Sequence, residues 1–205
     1  MSKHLIRNIS LGVSGIILLA SFAVNKMLHK PELNLQGSSL NPTQAVEAFE
    51  LSSTQGGTFS RKDLLGKWTV LSFGFTHCPD ICPTTLAYFR DELKTLSSDQ
   101  KEQAQFVFVT VDPERDTLPL LTEYTQKFHP DIIGLTGSQE EIEKFASIFH
   151  AYFKKENPQA DGLYSMAHSP QYFLVNPQGQ WQVLYTPPLS KGAIALDLTK
   201  LKKNF

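Results

Sequence analysis

The sequence predicts an α/β fold in which a central mixed sheet with a parallel core is flanked by helices. Three observations predict it. Apolar runs at 68–75 (WTVLSFGF), 104–111 (AQFVFVTV) and 132–135 (IIGL) are each followed by a segment of helical periodicity, and that alternation builds a parallel sheet. The longer runs are continuously apolar, as in strands covered on both faces. Residues 172–175 and 180–185 are strand-like and are separated by Asn176, Pro177, Gln178 and Gly179, which reads as a β-hairpin.

In chain order, 48–52 reads as a first short strand, Gly56 and Gly57 turn it, and 63–67 is a tight turn into the run at 68–75. From Pro83 onward, Leu86, Phe89 and Leu93 recur at three- and four-residue spacing, so a helix is expected to about Ser97. Residues 118–128 predict the next helix. Ser138 with Glu141 forms a capping box for a third, whose apolar stripe is Ile142, Phe145, Ile148 and Phe149. Residues 152–166 read as a small excursion across Asn157-Pro158 and Asp161-Gly162. A last helix carries Ile194, Leu198 and Leu201, with Ser190 as its expected cap. No internal repeat is visible.

The N-terminal residues are a separate object. Between Arg7 and Lys26 the chain has no charged residue and is mostly apolar, at the short end for a bilayer-spanning helix. Lys3 and Arg7 favour a cytoplasmic N-terminus, which places the rest of the chain outside the cytoplasm. The competing expectation is a cleaved signal peptide with Ser21-Phe22-Ala23 as its site. Residues 1–28 are therefore read as a membrane anchor or signal peptide, 29–45 as a flexible polar tether, and 46–205 as the folded domain. With 19 Lys and Arg against 20 Asp and Glu, the net charge of −1 offers no basic footprint for nucleic acid.

The only two cysteines, Cys78 and Cys82, stand where the run at 68–75 gives way to its helix. A first turn beginning near Asp80 or Ile81 lets both sulfurs meet at a helix N-terminus, where unpaired N–H groups and the helix dipole favour thiolate over thiol. Such a pair serves as a reversible disulfide or as soft ligands for Cu(I) or zinc. The plainer alternative is two buried cysteines acting as small apolar side chains. Ligands gather at the carboxyl ends of strands in open α/β sheets, and Asp112 ends the neighbouring run, so it is expected to share an edge with Cys78. Asp80, Asp112 and Asp116 read first as turn or capping aspartates, Asp80 as an acceptor for first-turn N–H groups. His168, before the terminal hairpin, is by spacing alone either a ligand or a hydrogen-bonded structural residue. His77 adjoins Cys78 but is expected to point away from the sulfurs. His129 and His150 fall at helix ends, and His4 and His29 flank the N-terminal apolar run.

A strand-to-helix cysteine pair followed by a sheet, a hairpin and a last helix is the thioredoxin plan. The blocks 75–83 (FTHCPDICP), 111–117 (VDPERDT), 133–137 (IGLTG) and 168–179 (HSPQYFLVNPQG) together resemble the Sco/SenC family of copper-binding, membrane-anchored assembly proteins for cytochrome c oxidase, from about Phe49 to the C-terminus. The resemblance implies a thioredoxin-like fold and copper, Cu(I) or Cu(II), held by Cys78, Cys82 and His168. It implies delivery to the binuclear copper centre of oxidase subunit II, in the bacterial periplasm or the mitochondrial intermembrane space. An enzymatic alternative is a thiol–disulfide oxidoreductase that reduces the recipient's cysteines through Cys78 and Cys82, served by a thiol reductant, and a redox or copper sensor is a third. Two features depart from the family pattern. Ala167 stands where the family often has Asp before the metal histidine, removing a charge near the site. Pro170 resembles the thioredoxin proline whose cis bond faces the cysteines; with Asp80 and Asp112 it is expected to shape the surroundings of the ligands.

Overall fold

The computed structural model describes residues 33–158 and 164–203. The expected N-terminal anchor, with His4 and His29, lies outside them. Among the described residues no helix is long and apolar enough to cross a membrane. One compact unit begins at Leu35.

Its elements are β1 (Ser38–Ala45), β2 (Glu50–Ser53), β3 (Thr58–Ser60), α1 (Arg61–Leu64), β4 (Trp68–Gly74), α2 (Ile81–Thr95), α3 (Ser98–Gln103), β5 (Ala104–Thr110), α4 (Leu118–Gln126), β6 (Ile132–Thr136), α5 (Gln139–Ile148), β7 (Phe153–Lys155), β8 (Met166–His168), β9 (Tyr172–Val175), β10 (Gln180–Tyr185) and α6 (Ala193–Lys202). Eight strands form one mixed sheet in the order β1-β10-β9-β4-β5-β6-β2-β3. The apolar runs β4, β5 and β6 pair in parallel at its centre, and β9 lies antiparallel beside β4. β4 and β6 are buried along their whole length, as continuous apolarity requires.

Both faces are covered by aromatic packing. Phe106 and Phe108, two apart on β5 and so on one face, meet Phe89 of α2 at 5.1 Å and Tyr124 of α4 at 6.0 Å between ring centroids. Phe73 points to the other face, where Phe145 of α5 and Phe149 at its C-cap each lie 6.0 Å away. Each fully buried Phe contributes roughly 2–3 kcal/mol of transfer free energy, so this double layer holds the centre of the sheet from both sides.

The structure corrects three expectations. Part of the stretch read as tether is a strand: β1 pairs with β10, and Asp197 of α6 accepts from the backbone N–H groups of Gln36 (2.7 Å) and Gly37 (3.2 Å). Its sequence is polar because an edge strand shows one side to solvent, so apolar periodicity gave no signal. The helix after the cysteines stops at Thr95, and Ser97 with Gln100 forms a capping box for the separate helix α3. The last helix is not capped by the Ser190 side chain. Gly192 stands at the N-cap with φ of 80°, and the buried Glu92 carboxylate of α2 accepts from the Gly192 and Ala195 N–H groups. A carboxylate brought from another helix meets the same orphan donors and suits the positive end of the dipole. The predicted capping box at Ser138 and Glu141 is present, and Ile142, Phe145, Ile148 and Phe149 are all buried.

The register fixes which ends share an edge. Ser72 near the end of β4 faces Tyr172, Tyr172 faces Tyr185, and Leu184 faces Ser38, so β1 begins on the edge where β4 ends.

Candidate metal centre

β4 ends at Gly74, and the turn that follows delivers both cysteines to that edge. Cys78 is 9% exposed, and Cys82, in the first turn of α2, is 1% exposed. The sulfurs collect backbone donors: Cys82 N–H points at Cys78 Sγ (3.4 Å) and Phe75 N–H at Cys82 Sγ (3.5 Å). Gly74 is required here, because a Cβ would stand 2.8 Å from Cys82 Sγ and 2.6 Å from the Phe108 ring. Both thiols are free.

His168 arrives from a separate two-stranded sheet, at the end of β8. Its Nε2 lies 3.4 Å from Cys82 Sγ, and its Nδ1 lies 3.1 Å from the Ser169 carbonyl. A carbonyl can only accept, so Nδ1 carries the proton and the Nε2 lone pair faces the sulfurs, the tautomer a metal ligand needs. The two Sγ atoms and a ring nitrogen of His168 all lie within 4.8 Å of one another, a donor set of two soft sulfurs and one imidazole that fits Cu(I), Cu(II) or zinc.

The two thiols differ in acidity. Cys78 is lowered from 9.0 to about 5, first by the hydrogen bond from the Cys82 thiol; burial opposes this, and the backbone N–H groups of Asp80 and Cys82 add to it. Cys82 is raised, first by holding the proton it shares with Cys78 and then by burial. The pair therefore loses one proton easily and the second with difficulty. A folded-state pKa below the unfolded value means that the thiolate stabilises the fold above pH 9 and that this contribution is lost as the pH falls through about 5. In a Cys82→Ser variant, whose hydroxyl still donates, iodoacetamide alkylation of Cys78 is expected to be nearly flat from pH 7 to 9 and to fall below about pH 5. A rate that climbs through the ordinary thiol range, near 8.5, would contradict the assignment.

The remaining expected residues fall around this centre. Asp80 stands at the N-cap of α2, but its side chain makes no capping bond and is exposed; its carbonyl accepts from Thr84 instead. The sulfur of Cys78 takes the Cys82 N–H, the donor a capping carboxylate would have sought. Asp112 is buried on the shared edge, bonded to Arg115 and, at 2.8 Å, to the Tyr164 hydroxyl. Ser169–Pro170 is not among the cis bonds of the described residues, which are Asn41–Pro42 and Pro187–Pro188, so the thioredoxin argument from Pro170 falls away. His77 is half exposed and turned to Thr76 and Asp116, as expected. His129 accepts from the Asp131 N–H at 3.2 Å, and the His150 ring lies 6.1 Å from that of Trp181; neither belongs to the cluster.

Asp116 is the residue the sequence undersold. It is 0% exposed, and its carboxylate accepts from Thr76 N–H (2.9 Å), Thr76 Oγ1 (2.5 Å) and Thr110 Oγ1 (2.6 Å), tying the turn before Cys78 to the end of β5.

With this geometry in hand, comparison with known proteins is specific. The SCO1/SenC family model matches residues 37–203. The chain belongs to the SCO1/SenC family. It is 35% identical over 178 residues to the mitochondrial SCO1 homolog 1 of Arabidopsis thaliana, covering 84% of this chain and 53% of that protein. A protein of Stutzerimonas stutzeri named for copper binding is 35% identical over 161 residues, 78% of each chain. The crystal structure of Arabidopsis thaliana ScoI with copper bound superposes with a TM-score of 0.72 at 34% identity, covering 78% of this chain and 100% of that one. The chain spans about half the length of the mitochondrial relatives it matches, from 53% to 57% for three of them. The mixed sheet with flanking helices is thus the thioredoxin-like fold of this family.

Proposed function

We propose that this SCO1/SenC protein is a copper metallochaperone that holds copper with Cys78, Cys82 and His168 and passes it to a copper-receiving protein. One observation carries the proposal: three ligand atoms from two separate parts of the chain converge within 4.8 Å at the working edge of the sheet. Two sulfurs favour Cu(I), and the imidazole lets the same site hold Cu(II). A site without a fourth strong protein ligand leaves a position for a recipient's ligand during transfer. The recipient in this reading is the binuclear copper centre of cytochrome c oxidase subunit II. Residues 1–28 anchor the chain with the domain outside the cytoplasm. Anaerobic copper titration of the reduced protein tests the site. One copper per chain with sulfur-to-Cu(II) absorption bands, abolished by prior oxidation of the cysteines, is the expected result. No specific uptake while both thiols remain free and reactive would overturn it.

A second reading is favoured by the unequal thiols. A thiol–disulfide oxidoreductase needs an acidic attacking sulfur and a retained proton on its partner, the arrangement of Cys78 and Cys82. Cys78 thiolate attacks the recipient's disulfide to form a mixed disulfide and release one recipient thiolate. Cys82, on losing its proton, attacks Cys78 Sγ and releases the second. The recipient is reduced by two electrons and this chain is oxidised to a Cys78–Cys82 disulfide, which a thiol reductant must then reverse. The two roles are compatible in one site.

A further inference from the structure

The loop between β5 and α4 touches both arms of the metal centre. Its Asp116 holds the turn before Cys78. Its Arg115 reaches the arm that carries His168. Arg115 Nε donates to the Asp112 carboxylate and Nη1 donates to the Tyr164 carbonyl at 2.9 Å. The guanidinium lies 3.6 Å from the centroid of the Tyr164 ring, and the Tyr164 hydroxyl returns to Asp112. These contacts close a loop through three side chains and one carbonyl, and Tyr164 lies two residues before β8. A second route is shorter: the Phe75 ring lies 5.8 Å from the same guanidinium and meets the His168 imidazole edge-on at 5.9 Å and 89°. Lys155 of β7 adds an ion pair to Glu114 at 2.8 Å and lies 4.0 Å from the Tyr164 ring.

This bracing matters because of how the histidine arm is mounted. β7 and β8 pair with each other in a two-stranded sheet and share no ladder with the eight-stranded sheet that carries the cysteines. The placement of His168 against the sulfurs therefore depends on loop and side-chain contacts. A planar guanidinium supplies two directed N–H bonds and a stacking face at once, which an ammonium does not.

We propose that Arg115 is a positioning residue of the metal centre: by clamping Tyr164 to Asp112 and packing on Phe75, it holds His168 at the sulfur pair while leaving the sulfurs themselves untouched. The proposal rests on the copper reading for its consequence, not for its geometry. Its test compares wild type with Arg115→Ala, Arg115→Lys and Tyr164→Phe, first copper-free by hydrogen exchange and then by Cu(II) titration with nitrogen coupling read by electron paramagnetic resonance. Arg115→Ala is expected to speed amide exchange at 166–169 by about tenfold or more, as local opening of an unbraced hairpin would, with Cys78 alkylation unchanged within about twofold. Cu(II) affinity is expected to fall about 10–100-fold with weakened nitrogen coupling, the size seen when a group that orients a ligand is lost. Arg115→Lys should recover little of this. Tyr164→Phe, which keeps the stack and the carbonyl, should shift both readouts in the same direction by less. Exchange that rises evenly across the domain, or that stays unchanged at 166–169 with unchanged Cu(II) binding, overturns the positioning role. Selective loosening of 166–169 in a protein whose wild type takes up no copper upholds the clamp and sinks the copper reading instead.

Discussion

Replacing His168 with alanine is expected to abolish Cu(II) binding while a two-sulfur site for Cu(I) remains. The imidazole is the only hard-to-borderline donor in the described cluster, and its Nε2 lone pair already faces Cys82 Sγ at 3.4 Å. Its loss should exceed the roughly 10–100-fold cost of removing an outer partner of a ligand. The sulfur-to-Cu(II) absorption of an anaerobic titration reports this directly, and dithiol exchange assayed in parallel should be largely retained because neither sulfur has changed. A variant that takes up and transfers copper at the wild-type level would remove His168 from the ligand set.

The second large effect is structural. Asp116→Ala is expected to destabilise the domain by about 3–4 kcal/mol, since it strands one N–H and two hydroxyls, that of Thr110 fully buried, that now share a single carboxylate. For a domain of this size that corresponds to a fall of roughly 10 °C in Tm at about 2–4 °C per kcal/mol. Thermal unfolding by circular dichroism measures it. Asp116→Asn retains an acceptor oxygen but turns an NH2 toward donors, so an intermediate loss is expected. A change within 1 °C for Asp116→Ala would mean that the Thr76 turn is held by other contacts.

The sequence carried the centre of the sheet and the cysteine turn well, for a physical reason. β4 and β6 are buried at every residue and β5 at all but Gln105, so burial is written into nearly the whole of each run. Ser138 and Glu141 are similarly local: four residues contain the whole interaction. What was not legible depends on partners distant in the chain. Glu92 caps a helix 100 residues away, and a buried glutamate in the last turn of an amphipathic helix reads as a solvated one until the other helix is in place. β1 is polar because it is an edge. Asp112, Arg115 and Tyr164 act through a carboxylate, a fork and a ring drawn from segments separated by about fifty residues, and no spacing rule joins them. His168 lies on the border between the two cases. Its spacing was neutral, the family resemblance singled it out, and the fold brings its ring to the sulfurs.

The course of β1 has a practical consequence. The chain joins the sheet at Ser38 on the rim where β4 hands over to the cysteines, whereas α6 runs down to Lys202, whose ammonium reaches Asp99 beside the start of β5 on the opposite rim. A leash attached upstream of Leu35 thus pulls on the thiol-bearing rim. Reporter proteins or affinity handles fused there would crowd the approach of a recipient, and the same cargo fused after Lys203 would hang clear of it.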